Sequence, residues 1–208
     1  MERRRLDRKD KIKNKEEGQK MDYKKYYYLE EYLFNEVKSA FYERGFLTAK
    51  EFFCIIIWKA NRAKSKIAKR MKERSPDLDL QTIVKNLTKN LHKRKTSKER
   101  FVYLFDDWGF RLPMVSAILT VLFPNDFTVY DVRVCDILGK YHNISNKTKS
   151  DAVWNDYIKF IKSVKKEVKN EKTLRDKDRW SWGKSFIEAL EKDIKTEFNI
   201  APTSDNSG

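Results

Sequence analysis

The sequence predicts an all-α protein, on three observations. Apolar residues recur at helical spacing through most of the chain, Pro and Gly are confined to junctions, and capping residues open the apolar stretches. At 208 residues and 25.0 kDa the length suits one well-buried core or two closely packed helical halves. No internal repeat is apparent.

The elements follow in order. Residues 1–21 carry almost no apolar side chains and a basic excess, which predicts a flexible arm. Tyr26, Leu29, Leu33, Val37, Ala40 and Phe41 then mark a helix that Gly45 stops. Thr48 and Glu51 form a capping-box pair for a helix holding Phe52, Phe53, Ile55, Ile56 and Ile57 and ending near Asn61. Further helices are expected over 64–74, 80–94 and 98–107, the last starting after Ser97. A tight connection leads to 113–123, Pro124 and Asn125 mark a turn, and Asp131 opens 131–139. Ser150 is expected to cap a helix burying Val153, Tyr157, Ile161, Val164 and Val168, and Thr173 a last one through Trp180, Phe186, Ile187, Leu190 and Ile194. The tail, 201–208, is too small and polar to pack.

Composition narrows the function classes. A formal net charge of +15 and a pI near 9.6 favour a polyanionic partner, although excess lysine also serves simply to solvate helix faces. Cys54 and Cys135 stand in apolar runs, which favours buried thiols over a disulfide and an intracellular setting over a secreted one. Two cysteines are too few for a four-iron cluster, and the lone His92 and His142 give no zinc spacing, so no metal site is expected. The longest apolar run, Phe52 to Trp58, is too short to cross a bilayer, and the N-terminus lacks the apolar core of a signal peptide. A cytoplasmic monomer with no membrane partner is the expectation.

Asp106 to Leu138, DDWGFRLPMVSAILTVLFPNDFTVYDVRVCDIL, reads as helix, Gly-containing hairpin, apolar helix, extended link and an Asp-led helix. A hairpin between helices presents backbone N–H groups and a helix N-terminus to phosphate. The segment resembles the helix-hairpin-helix base-excision DNA glycosylases of the endonuclease III type. That family has a motif close to Leu-Pro-Gly-Val-Gly-x-Lys-x-Ala, then a Val-Asp at the next helix start. Laid on this chain without a gap, Gly109 takes the first hairpin glycine, Arg111 the second, Pro113 the lysine and Asp131 the catalytic aspartate. The match covers roughly the middle third of the chain, with helix count and order compatible elsewhere.

The resemblance implies a monofunctional glycosylase that binds double-stranded DNA, flips one nucleotide and leaves an abasic site without a metal or organic cofactor. Pro113 has no amine for the Schiff-base lyase step of bifunctional members. Asp131 would stabilise positive charge on the sugar; a helix-capping Asp needs no such role. Gly109, Phe110, Arg111 and Leu112 are the expected phosphate-gripping hairpin, with Arg111 either strained or in a different turn, and an ordinary helix connection is the alternative. Lys59, Asn61, Arg62 and Arg133 join the DNA-contacting set, Asn61 and Arg62 as a wedge into the duplex. Trp58, Tyr130, Trp180 and Trp182 are expected to frame the base pocket, while Trp58 alternatively belongs to the core and the other tryptophans to an interface. Lys59, Lys140 and Lys184 are the remaining amines for a lyase step.

By the same resemblance, residues 47–139 form a six-helix subdomain and 22–46 pack with 140–200 as a second, a DNA-binding cleft lying between them. The excised base is a damaged one by default, or a hypermodified one as in foreign phage DNA. A non-catalytic DNA-binding protein that keeps the hairpin for affinity is the rival reading.

Overall fold

The computed structural model describes residues 22–196, so the expected arm over 1–21 and tail over 201–208 lie outside the described residues. A 3-10 turn, Lys24–Tyr26, leads to α1, which is α-helical over Leu29–Tyr32, π-helical over Leu33–Val37 and α-helical again over Lys38–Arg44. Gly45 ends it in the left-handed conformation, φ 74°, where a Cβ would be strained. The Thr48–Glu51 capping box opens α2, Ala49–Ala60, and a 3-10 turn, Asn61–Ala63, joins it to α3, Lys64–Arg74. Asp79 caps α4, Leu80–Lys93.

The next helix, α5, is α-helical over Ser97–Val102 and π-helical over Tyr103–Asp107. Its cap is Thr96, not Ser97: Thr96 Oγ1 accepts the Glu99 N–H at 3.2 Å and the Glu99 carboxylate accepts the Thr96 N–H at 3.0 Å, a reciprocal pair that only the Thr-to-Glu spacing permits. Then come α6, Leu112–Leu122, α7, Val132–Leu138, a 3-10 turn over Ile144–Asn146, α8, Ser150–Glu167, and α9, Leu174–Thr196. Ser150 is the first residue of α8 and the cap position falls on Lys149, which makes no side-chain cap bond. No strand occurs among the described residues, and six helices lie between Thr48 and Gly139. The all-α class is therefore correct.

The central element is α6, buried at Leu112 and at every residue over 114–122. A helix apolar all round has to be surrounded, and α1, α2 and α5 pack on it. One continuous core then runs into the C-terminal helices. Tyr157 of α8 is fully buried and stacks at 5.9 Å on Phe101 of α5, 6.1 Å on Phe160 and 6.5 Å on Phe127. Its hydroxyl donates to the Thr128 carbonyl at 2.5 Å, fixing the link that ends in Asp131 to the floor formed by α8.

The last helix departs from expectation. Trp180, Phe186, Ile187, Leu190 and Ile194 are exposed, and α9 instead buries Leu174, Asp178, Ser181 and Ser185. Small side chains let it lie close on α7 and α8, which turns the apolar side outward. Gly183, which falls inside α9, is the exception to the confinement of glycine to junctions. No helix among the described residues is long and apolar enough to cross a membrane.

Candidate active site

The link from Phe123 to Asp131 is anchored at Tyr130. The Tyr130 N–H donates to Ser116 Oγ at 2.9 Å, and the Tyr130 hydroxyl donates to the carbonyls of Tyr141 at 2.7 Å and His142 at 3.2 Å. Asp131, extended at φ −139° and ψ 144°, is the N-cap of α7, its Oδ1 accepting the Arg133 N–H at 3.1 Å. Its Oδ2 is left for something else.

That partner comes from the C-terminal end of α2. Lys59 Nζ lies 2.6 Å from Asp131 Oδ2 and 3.3 Å from the Tyr130 carbonyl. The side chains are 12% exposed for Lys59 and 24% for Asp131, so the ion pair is sheltered yet reachable. Lys59 was expected on a DNA-contacting loop; it points inward instead, because the last turn of α2 faces the link.

The pair lies in the wall of a cavity of about 580 Å³, with Val129 and Arg133 from the link and α7, Trp58 from α2, Glu30 from α1, and Arg175, Asp178, Arg179 and Trp182 from α9. Trp58 meets Phe34 edge-on at 5.8 Å, and the Arg175 guanidinium stacks over both rings at 5.1 Å. Arg175 donates to Glu30 at 2.6 Å and also to Asp178, while Arg179 donates to Glu30 at 2.8 Å. Burial opposes the Glu30 charge, but the two guanidiniums outweigh it and hold the carboxyl below its usual range. For Asp178, 2% exposed, burial wins over Arg175, the Val129 N–H and Lys59 and pushes the carboxyl up to about 6. Arg133 lies 5.3 Å from each of the parallel rings of Trp182 and Phe186.

A second cavity, about 330 Å³, shares Lys59 and Asp131 and adds Pro113, Tyr130, Val132, His142 and Ser145. Tyr130 therefore lines this smaller space; it is 5% exposed and packs edge-on against Phe160 at 5.4 Å.

In the hairpin, Gly109 adopts φ 64° and its carbonyl accepts from Arg70, while Arg74 donates to the Asp107 carbonyl. A Cβ at Gly109 would meet Arg74 Nη2 at 3.1 Å. Arg111 is exposed in an ordinary extended conformation, φ −81° and ψ 157°, as N-cap of α6, so the turn is a different one and no strain arises. Phe110 and Leu112 are each 1% exposed, which corrects their assignment as DNA contacts: both side chains are core, and the Phe110 N–H is taken by the Leu104 carbonyl at 3.1 Å.

The structure thus brings together Trp58, Lys59, Asp131, Arg133 and Trp182, five of the expected site residues. Asn61 and Arg62 are exposed on the 3-10 turn just past Lys59, with Asn61 accepting from Lys64 at 2.8 Å. Trp180 does not belong to the pocket: it is 43% exposed on the outward side of α9. Sequence reasoning missed Glu30, Arg175, Asp178 and Arg179, and the hairpin clamps Arg70 and Arg74. The dense charge of DKDR before Trp180 was the only local signal for the α9 set. Cys135 is buried and Cys54 partly so, both as free thiols. Among the described residues no three His, Cys, Asp or Glu side chains gather as a metal site. No known family model, curated protein or solved structure matches this chain.

Proposed function

We propose that this protein is a DNA glycosylase of the helix-hairpin-helix kind, which flips a damaged or modified base out of double-stranded DNA and hydrolyses its N-glycosidic bond. One observation carries the reading: a carboxylate, Asp131, stands at a helix N-terminus in the wall of a 580 Å³ cavity, 2.6 Å from an ammonium and beside two tryptophans. Cavities of this volume suit a small ligand such as a nucleoside, and Trp58 and Trp182 supply apolar area for an extruded base.

Departure of the base leaves positive charge on the sugar, which the Asp131 carboxylate stabilises electrostatically while water attacks. Lys59 orients that carboxylate. As an ammonium bonded to Asp131 it has no free lone pair, so the proposed enzyme is monofunctional and leaves an abasic site. Arg111 on the hairpin and Arg62 beyond α2 grip phosphates, in keeping with the net charge of +15.

The test is a panel of labelled duplexes, each with one damaged or hypermodified base, treated with heat or alkali after incubation. Scission at one class of base, lost in Asp131→Asn, supports the glycosylase. Retention of every duplex without scission supports the second reading, a DNA-binding protein without catalysis. The bond from the Arg133 N–H favours that reading, since it already gives Asp131 work as a cap.

A further inference from the structure

Helix α9 wears its amphipathicity inside out. Ser181 and Ser185 are 0% and 6% exposed, whereas Trp180, Ile187, Leu190 and Ile194 are between 36% and 48% exposed. At 100° per residue the exposed set lies opposite the two serines. Trp180, Gly183, Ile187, Leu190 and Ile194 are spaced three, four, three and four, the a and d positions of a heptad seam. Neighbouring Trp182 and Phe186 already have a partner in Arg133, but the seam has none among the described residues.

The remaining chain is poorly equipped to cover it. Residues 1–21 offer only Met1, Leu6, Ile12 and Met21, with no two in succession three or four apart, and residues 197–208 offer only Phe198 and Ile200 as large apolar side chains. A second copy fits better. With Trp180 at a, Lys184 and Glu191 both occupy e positions. In an antiparallel pair e faces e, so Lys184 meets Glu191 of the partner subunit, and two-fold symmetry forms the bond twice. A parallel pair would set Phe186 against Glu191 and form no such bond. The antiparallel register also seats Ile187 on Leu190 and Ile194 over Gly183. A Cβ on Gly183 would meet nothing within 4 Å, so the chain's own packing gives no reason for a glycine inside this helix.

We propose that α9 pairs antiparallel with α9 of a second copy of this chain, about a two-fold axis between Glu188 and Ala189. The dimer replaces the monomer expected from the sequence and is independent of the glycosylase reading. Asp178 and Trp182 lie off the seam.

Sedimentation velocity on the full chain, from about 1 to about 500 µM in about 0.15 M salt, tests it. The expected result is a concentration-dependent shift to the dimer mass, abolished in Leu190→Glu and in Ile194→Lys, whose circular dichroism stays helical because both side chains are exposed. Lys184→Glu should weaken the dimer roughly five- to tenfold, and Lys184→Glu with Glu191→Lys should restore it. A wild-type monomer at every concentration, or undiminished dimers in both seam variants, overturns the proposal. Failure of the charge swap to restore association overturns the antiparallel register.

Discussion

Asp178→Asn should stabilise this protein, and increasingly so as pH rises. Burial lifts the Asp178 carboxyl from 3.8 to about 6 in the folded state, despite Arg175 beside it. An acid whose folded pKa is raised binds its proton more tightly when folded, so stability is greatest below pH 4, falls as pH rises from about 4 to about 6, and levels off above that. A difference of roughly 2 units at 1.36 kcal/mol each makes the ionised group a liability of about 3 kcal/mol above pH 7. At pH 4 only a few tenths to about half a kcal/mol of this is expressed. Asparagine keeps the shape and accepts from Arg175 without the charge. Urea denaturation at pH 4, 5, 6, 7 and 8 should therefore show the variant gaining on wild type by about 2–3 kcal/mol across the series, equivalent to a Tm difference of roughly 4–12 °C. Taking the difference between the two proteins cancels the other carboxylates, including Glu30, whose lowered pKa acts with the opposite sign. A gap that is constant with pH, or that shrinks toward pH 8, refutes burial as the dominant influence on Asp178.

Four further outcomes follow from the site. Asp131→Asn should keep DNA affinity within about threefold while base release in single turnover falls by orders of magnitude, and full activity in this variant would end the proposed mechanism. Lys59→Met removes the 2.6 Å partner of Asp131 and should lower excision by about 10- to 100-fold. Borohydride should trap no covalent DNA adduct with the wild type, and an adduct that vanishes in Lys59→Met would instead assign a lyase step to that amine. Arg111→Ala should reduce DNA affinity and lower the slope of log K against log salt by about one phosphate's worth; an unchanged slope removes Arg111 from the phosphate grip.

Local signals in the sequence translated well into structure. The Thr48–Glu51 box, the left-handed Gly45, and Asp131 as the cap of α7 all depend on residues within one turn of each other. The walls of the cavity do not. Lys59 meets Asp131 across 72 positions, and Arg175 meets Glu30 across 145, and in a chain with 46 Lys and Arg residues no local pattern marks which cation reaches which acid. Phe110 and Leu112 went astray differently: a motif fixes the path of the backbone, while the apolar character of those two residues sends their side chains under the hairpin into the core. In α9 the periodicity was real but its meaning reversed. Apolar spacing identifies the face that seeks cover, and the rest of this chain covers the serine face.

The charged wall formed by Glu30, Arg175, Asp178 and Arg179 bears on whether the cavity works as a site. Arg175 and Glu30 do hold α9 to α1, yet apolar side chains of similar volume generally bridge two helices as well or better, because ions taken out of water regain only part of their hydration. Asp178 makes the point within one residue: it lies at 2% exposure, lines the same cavity as Asp131, and its burial-raised carboxyl weakens the fold once ionised at neutral pH. Perturbed groups of this kind cluster where a surface has been shaped for a ligand. The denaturation series on Asp178→Asn therefore has a natural companion in an excision assay on the same protein at pH 7. A variant that is more stable and excises more slowly marks Asp178 as a group retained for the substrate. A variant that is more stable and excises at the wild-type rate leaves it a tolerated defect in the contact between α9 and the link, with the active site narrowed to Asp131, Lys59 and the two tryptophans.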